Sequence, residues 1–146
     1  LIKKAFILGE SGENKYRAAA CLVVFLNMVI EHSKRSGVNL TGDIALALDY
    51  ILDNLTQELL LEELADYCGL SISQFKQKFK DQLGVSPRCF INQQKVESAK
   101  TLLLEGMSKT EIAMQLGFSS SSYFAAVFKK FTSCTPSEYK NRARNE

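Results

Sequence analysis

The sequence predicts an all-α protein, and three features of the chain support this fold class. Only two prolines occur among 146 residues, and long stretches contain neither glycine nor proline. Apolar residues recur at helical spacing, whereas no alternating run of useful length predicts a strand. Hydrophobic residues make up 46% of the chain, which is enough to bury a core. Helices are therefore expected throughout, delimited by capping residues, glycine and proline.

The first predicted helix covers residues 15–35 and is apolar on nearly every side. Such a helix needs protein contacts around most of its surface. Two basic residues and then Gly37 indicate its end, and residues 36–42 are predicted to be a connection. Its densest apolar run, 18–30, is shorter than the roughly 20 residues that span a membrane. We expect no membrane association, and no signal peptide is evident.

From residue 41 onward, capping residues predict seven further helices. Serine and threonine accept hydrogen bonds from the first N–H groups of a helix, and Pro87 suits the first turn of a long helix that extends to about residue 105. Residues 108–111 and 135–138 have the Ser/Thr-x-x-Glu pattern of a capping box. The predicted starts are Thr41, Leu60, Ser71, Ser86-Pro87, Ser108, Ser119 or Ser120, and Thr135.

Basic residues are concentrated in two parts of the chain, although the formal net charge is only +2. Residues 71–100 contain six basic and two acidic residues, and residues 123–144 contain five basic and one acidic. Residues 41–62 contain five acidic residues and no basic one. A small net charge does not indicate nucleic acid, but each basic cluster requires a partner or a structural reason. The acidic segment is expected to face solvent or a protein.

An internal repeat carries the functional argument. Four residues of the segment 63–71 recur 48 positions later in the segment 111–119: Glu63, Ala65, Gly69 and Ser71 correspond to Glu111, Ala113, Gly117 and Ser119. One residue is then inserted. The pairs that follow are 49 positions apart: Phe75 and Phe124, Phe79 and Phe128, Lys80 and Lys129, Pro87 and Pro136. The phenylalanines share an amphipathic stripe and are predicted to be core residues.

Each copy has the parts of a helix-turn-helix, which is a short helix, a glycine-containing turn and a second amphipathic helix. The small alanine allows the two helices to approach, the glycine permits a left-handed turn, and the serine caps the second helix. One such match more often indicates ordinary helix packing. Two matched copies, each beside a basic cluster, favour DNA binding. The helix that begins at Pro87 would span roughly 27 Å, comparable to the about 34 Å between successive major-groove faces.

With these motifs the chain resembles the DNA-binding domain of the AraC/XylS family of bacterial regulators. The resemblance covers about residues 41–144 and is most specific at 111–119 and 122–129. It implies two helix-turn-helix subdomains joined by a long connecting helix. The other segments that carry it are 61–71, 79–80, 84–87, 95–103 and 135–139.

The resemblance implies a sequence-specific, double-stranded promoter DNA-binding protein with recognition helices at about 72–83 and 120–131. Glutamine pairs with adenine, lysine with guanine, and alanine contacts the thymine methyl group. The implied base-contacting residues are Ser73, Lys76, Gln77, Ser121, Ser122 and Ala126. The residues expected to hold phosphates, which position the protein without specifying sequence, are Ser71, Lys80, Arg88, Ser119, Lys129 and Lys130.

Members of this family usually carry a separate effector-binding or dimerisation domain. Residues 1–40 are expected to be the last helices of such a domain with a linker, and residues 41–146 the DNA-binding domain. The helix 15–35 would then pack on the rest of that domain or form a homodimer. The family mostly activates transcription, which implies an activator that meets RNA polymerase in the bacterial cytoplasm. No cofactor and no metal are expected.

Three positions depart from the family pattern. Lys95 replaces the usual arginine of the connecting helix, and Leu60 replaces the usual polar cap before the first helix-turn-helix. Ala125 and Ala126 occupy positions where polar or basic residues are common. The second recognition helix is therefore expected to recognise DNA shape or methyl groups more than hydrogen-bonding edges.

Two other function classes stay open on the sequence alone. A helical interaction module using residues 15–35 would show no salt-dependent DNA affinity. An enzyme or thiol sensor would need an accessible cysteine of low pKa, and only Cys89, beside Arg88, has a basic neighbour. The serine run 119–122 has no histidine or aspartate beside it and is not a predicted nucleophile. The cysteines lack metal-site spacing and are interpreted as buried thiols: Cys21, Cys68, Cys89 and Cys134.

Overall fold

The computed structural model describes residues 40–144, which form seven α-helices and no β-strand. The all-α prediction is confirmed for this part of the chain. The helices are α1 (Gly42–Asp53), α2 (Leu61–Tyr67), α3 (Ile72–Leu83), α4 (Pro87–Leu104), α5 (Lys109–Gln115), α6 (Ser121–Thr132) and α7 (Pro136–Arg144). The predicted helix 15–35 lies outside the described residues. Within 40–144, no helix combines the length and the apolar character needed to cross a membrane.

Reciprocal hydrogen bonds at the first turn set the starts of several helices. Ser71 and Ser108 each form a capping box, in which the serine hydroxyl accepts from the third helical N–H and the side chain there accepts from the serine N–H. Thr135 and Glu138 make the same two bonds before α7, at 3.2 and 2.7 Å. Both capping boxes predicted from the sequence are confirmed, because this motif depends only on residues three apart.

Polar side chains at the start of α1 attach this helix to α3. The prediction that Thr41 caps α1 with its side chain is wrong, because its hydroxyl is bonded to the Asp43 carboxylate and the Gln82 amide instead. The Lys78 ammonium lies 2.6 Å from the Asp43 carboxylate. The hydrogen bond from Lys78, supported by one from Thr41, lowers the pKa of Asp43 to about 2. The Lys78 side chain therefore links α3 to α1 through this ion pair.

Two separate hydrophobic cores divide the described residues into two subdomains joined by α4. The first core lies among α1, α2, α3 and the beginning of α4, and the second lies among the rest of α4 and α5 to α7. Phe90 and Ile91 of α4 belong to the first core, whereas Val96, Ala99 and Leu103 belong to the second. The long helix α4 thus contributes residues to both cores, and its residues 92–95 lie at the junction of the two subdomains.

Aromatic contacts are repeated in the two cores. In the first, the ring of Phe90 lies 5.8 Å from that of Phe79, and in the second the ring of Tyr139 lies 5.5 Å from that of Phe128. Tilted and edge-to-face rings at such distances attract each other beyond simple area burial. The four phenylalanines predicted as core residues are fully buried: Phe75, Phe79, Phe124 and Phe128.

Candidate nucleic-acid interface

The turn between α2 and α3 has the geometry that a helix-turn-helix requires. Gly69 has a φ of 67°, a left-handed conformation that glycine adopts without steric cost. The backbone N–H of Leu70 donates to the carbonyl oxygen of Ala65, with an N···O distance of 2.9 Å. Ala65 is fully buried, so its small side chain allows α3 to pack close to α2. Ser71 then caps α3.

The same geometry recurs between α5 and α6. Gly117 has a φ of 60°, and the backbone N–H of Phe118 donates to the carbonyl oxygen of Ala113 at 2.8 Å. Each residue of this turn lies 48 positions after its counterpart in the first turn. The repeat seen in the sequence is therefore a repeat of the backbone, and the two helix-turn-helix units are confirmed.

The cap of the second recognition helix is Ser120, not Ser119. The Ser120 hydroxyl accepts from the backbone N–H of Tyr123 at 3.0 Å, and α6 covers Ser121–Thr132. The expected helix 120–131 is thus displaced by one residue. The reason is that the inserted residue precedes the cap, so that Ser71 corresponds to Ser120 rather than to Ser119. Ser119 belongs to the turn and is exposed.

On α3, the predicted base-contacting residues are on the surface opposite the buried phenylalanines. Ser73, Lys76 and Gln77 are all exposed. The Gln77 side-chain amide donates to the Asp81 carboxylate one helical turn further on, at 2.8 Å. Asp81 was not among the predicted site residues, although a carboxylate four residues after a glutamine is a recognisable helical pair.

On α6, the predicted base-contacting positions carry small side chains. Ser122 and Ala126 are exposed, whereas Ser121 is half-buried. Tyr123 was not predicted, yet 41% of its surface is exposed, and its hydroxyl lies 3.4 Å from the Asn92 amide of α4. Tyr123 directly precedes Phe124, which is buried, so Tyr123 lies at the edge of the exposed face. That position in the sequence is the signal from which Tyr123 could have been predicted.

Some residues of the two basic clusters are bonded within the protein. Four lysines bind acidic side chains or carbonyl oxygens of the same chain, and among them only Lys95 is buried: Lys78, Lys95, Lys100 and Lys140. Every residue expected to hold a phosphate is exposed: Ser71, Lys80, Arg88, Ser119, Lys129 and Lys130. Lys80 lies in the last turn of α3, and Lys129 and Lys130 lie in the last turn of α6. Both recognition helices therefore end in exposed positive charge.

The two helix-turn-helix units contact each other where the second turn meets the loop before α2. A Cβ atom added to Gly117 would lie 2.4 Å from the carbonyl carbon of Gln57, so the two backbones touch at a point where only glycine fits. Beside this contact, a groove of about 310 Å³ separates the units. It is lined from both sides by Glu58, Leu59, Arg88, Ile91, Asn92, Lys95, Gly117, Phe118, Ser119 and Tyr123.

Cys68 does not have the environment of a reactive thiol. Burial raises the pKa of the Cys68 thiol, and this thiol donates to the Asp43 carbonyl oxygen at 3.2 Å. Cys134 is buried and Cys89 is half-buried. A raised pKa opposes thiolate formation, which a thiol sensor requires. Cys21 lies outside the described residues.

A family model described as a helix-turn-helix domain matches residues 64–142, more than half of the chain. The chain belongs to the AraC/XylS type of helix-turn-helix family. The resemblance stated from the repeat and its flanking segments is confirmed. Proteins of this AraC/XylS type are DNA-binding transcriptional regulators.

Relatives and solved structures agree with this assignment. The chain is 39% identical, over 110 residues, to an uncharacterized HTH-type transcriptional regulator of Staphylococcus aureus strain MSSA476, matching 75% of this chain and 15% of that protein. It is 38% identical, over 90 residues, to the virulence regulon transcriptional activator VirF of Yersinia enterocolitica, matching 61% of this chain and 33% of that protein. The DNA-binding domain of AdpA, solved in complex with a target DNA, has the same fold, with a TM-score of 0.68 and 24% identity over 72% of this chain and 96% of that one. The chain thus spans only a small part of the length of these two relatives.

Proposed function

We propose that this chain is the DNA-binding part of a bacterial transcriptional regulator that sets α3 and α6 into successive major grooves of a promoter. The observation that carries the proposal is the pair of equivalent turns, 65–71 and 113–120, on either side of one continuous helix. The 18 residues of α4 correspond to about 27 Å at 1.5 Å per residue. Successive major-groove faces on one side of the duplex are about 34 Å apart. A single rigid connector of this length suits simultaneous use of both helices.

In this proposal α3 carries most of the sequence specificity. Gln77 presents an amide to an adenine edge, and its contact with Asp81 favours one orientation of that amide. One N–H is used by Asp81, while the other N–H and the carbonyl oxygen stay available for the N7 and N6 groups of adenine. Lys76, the preceding residue, would contact a guanine, and Ser73 lies one helical turn earlier. The 72–83 helix thus offers two strong hydrogen-bonding groups in sequence.

The proposed role of α6 is different because its predicted base-contacting positions carry only small side chains. Ser122 supplies a hydroxyl and Ala126 a methyl group that suits the thymine methyl. The half-buried Ser121 has less freedom to reach a base edge. Lys129 and Lys130 attract the phosphate backbone without regard to sequence. We infer that α6 contributes affinity and selects shape or A·T content more than it distinguishes individual bases.

The remaining predictions concern the whole protein and extend the proposal. VirF is a transcriptional activator, which favours activation, and contact with RNA polymerase follows from that role. Residues 1–40 would be the end of an effector or dimerisation domain, with 15–35 as a candidate homodimer contact, and 41–146 would be the DNA-binding domain. The protein would act in the cytoplasm, as a regulator rather than as an enzyme.

Selection of bound genomic fragments with the purified chain, at two salt concentrations, tests the proposal. We expect a two-part motif with centres about one helical turn apart, enriched at both concentrations. A single conserved half-motif would mean that α6 contributes backbone contacts alone. No enrichment at either concentration would contradict DNA binding and would favour an interaction module.

Single substitutions then assign the two classes of contact. Gln77→Ala is compared with Lys80→Ala, an exposed residue of the same helix, on the selected motif and on random DNA. The first is expected to weaken binding to the motif alone and the second to weaken both. Equal losses on both DNAs for Gln77→Ala would contradict its role in base contact.

A further inference from the structure

Lys95 is a buried lysine at the junction of the two subdomains. Only 3% of its surface is exposed. Its Nζ lies 2.8 Å from the carbonyl oxygen of Gln57 and 3.3 Å from that of Gly117. The ammonium also lies 5.3 Å from the ring centroid of Phe118, within the range of a cation–π contact. Lys95 belongs to the basic cluster 71–100, but because it is buried it does not contribute to the exposed positive charge.

The two carbonyl acceptors belong to different subdomains. Gln57 lies in the loop between α1 and α2 of the first subdomain. Gly117 is the turn glycine of the second helix-turn-helix unit and lies three residues before Ser120, the cap of α6. Lys95 therefore joins the backbone of one subdomain to the backbone of the other, through a side chain anchored on the helix that both share.

An ammonium at this position has a desolvation cost, because taking a charge out of water is unfavourable. Burial accordingly lowers the pKa of Lys95 to about 8, with Glu58 opposing the shift and Arg88 adding to it. Unlike an apolar side chain, the ammonium makes directional contacts, because its N–H groups donate to two carbonyl oxygens at defined distances.

Few other contacts cross this junction among the described residues. One is the touching backbones of Gly117 and Gln57, and another is the long hydrogen bond from Asn92 to Tyr123 at 3.4 Å. The groove lies between the two units beside them. The cores on either side are separate, so the orientation of α6 relative to α3 depends on α4, which both cores share, and on these junction contacts.

We propose that Lys95 is a positioning residue that fixes the orientation of the two recognition helices and thereby the half-site spacing that the chain accepts. This inference rests on the proposed function for its DNA part. Each added base pair moves the second half-site by about 3.4 Å along the duplex and rotates it. A rigid junction tolerates few such steps, whereas a loose junction tolerates more and gains less affinity from joining two half-sites.

Binding to matched operators tests the proposal. The selected two-part motif is prepared with its spacing changed one base pair at a time, together with each half-site alone. Lys95→Met keeps the apolar stem and removes the ammonium. Lys95→Arg keeps a charged donor at the same place. Lys100→Met is the matched control, because Lys100 is another lysine of α4 whose ammonium binds Glu97 on the same helix, at 2.7 Å.

For Lys95→Met we expect unchanged affinity for a half-site and about ten-fold weaker binding to the best two-part operator. A ten-fold change in affinity corresponds to the loss of a hydrogen bond to a charged group. We also expect the affinity to depend less steeply on the spacing of the half-sites. Lys95→Arg and Lys100→Met are expected to retain the wild-type preference. An unaltered spacing profile in Lys95→Met would overturn the proposal. So would an equal loss on half-sites and two-part operators, because that indicates general destabilisation. If Lys95→Met does not fold, Lys95→Gln, which is too short to span both carbonyls, takes its place.

A measurement without DNA separates this inference from the proposed function. Residual dipolar couplings of the full chain are recorded for backbone N–H groups of both subdomains. One alignment tensor should fit both in the wild type, and two different tensors should be needed in Lys95→Met. A single tensor in both proteins would overturn the inference whether or not DNA binds. Failure of the wild type to bind any DNA would instead overturn the proposed function, while the couplings still decide what Lys95 does.

Discussion

Replacing each turn glycine by alanine compares two positions that differ in one structural respect. Gly69 and Gly117 are equivalent in the repeat and have similar left-handed φ values of 67° and 60°. An alanine at either position incurs the same left-handed strain, roughly 1–2 kcal/mol. A Cβ at Gly69 meets nothing within 4 Å, whereas a Cβ at Gly117 lies 2.4 Å from the backbone of Gln57 and 2.6 Å from that of Glu58.

The extra cost at Gly117 follows from that contact. Ordinary van der Waals contact begins at 3.4 Å, so the loop before α2 must move back by about 1 Å, and overpacking of this kind costs roughly 1–3 kcal/mol. The movement also withdraws the Gln57 carbonyl oxygen from Lys95. We therefore expect Gly117→Ala to lower the free energy of unfolding by about 1–3 kcal/mol more than Gly69→Ala does.

Denaturant unfolding followed by circular dichroism measures both variants on the same scale. Under conditions where each is fully folded, only Gly117→Ala should weaken binding to a two-part operator relative to a half-site. Equal destabilisation by the two alanines would refute the claim that the backbones touch. A larger effect at Gly69 would refute the comparison of the two turns altogether.

Three further substitutions test individual residues. Gln77→Ala should cost about 1–3 kcal/mol of discrimination at one or two base pairs, measured by competition among operators changed one base pair at a time; a uniform loss would argue against base contact. Lys129→Ala should weaken binding to all sequences and reduce the salt slope by about 1, measured by titration at several salt concentrations; an unchanged slope would argue against a phosphate contact. Asp43→Asn should lower the free energy of unfolding by about 1 kcal/mol at neutral pH, since the Lys78 side chain is 45% exposed and solvent screens the pair. Because the folded-state pKa of Asp43 is lowered from 3.8 to about 2, this stabilisation is present above pH 3.8 and is lost as the pH falls towards 2. Denaturant unfolding at a series of pH values should show the wild type and the variant converging, and a constant difference would contradict the assignment.

Most of the helical architecture was predictable because it depends on neighbouring residues. The capping boxes at 108–111 and 135–138 involve side chains three positions apart, and the buried stripe of α3 follows from the helical period. The two turns were found by comparing 63–71 with 111–119, and the glycine conformations that this comparison predicted are present at Gly69 and Gly117. Local sequence thus contains the information for local geometry.

The candidate site was predictable in outline but not in every residue. All of the expected phosphate contacts are exposed, because the exposed side of an amphipathic helix follows from its apolar side. Of the two predicted starts, Ser119 and Ser120, the cap is Ser120, and the repeat paired Ser71 with Ser119 because an insertion can precede or follow the cap without altering the surrounding pattern. Asp81 and Tyr123 were missed because neither breaks the pattern of a recognition helix. Their importance lies in what they contact, at Gln77 and Asn92.

By itself the sequence determined the fold class, the repeated helix-turn-helix and the family, since each depends on periodicity and short motifs within one segment. Which basic residues find a bonding partner within the protein depends on the tertiary structure. Lys78 binds Asp43 from 35 positions away, and Lys95 binds Gln57 and Gly117 from 38 and 22 positions away. Such partners meet only after the helices have packed, so no local pattern distinguishes these lysines from Lys76, Lys80 or Lys129. The physical reason is that the period of a helix records which side is buried, but not which distant backbone atom a buried side chain will reach.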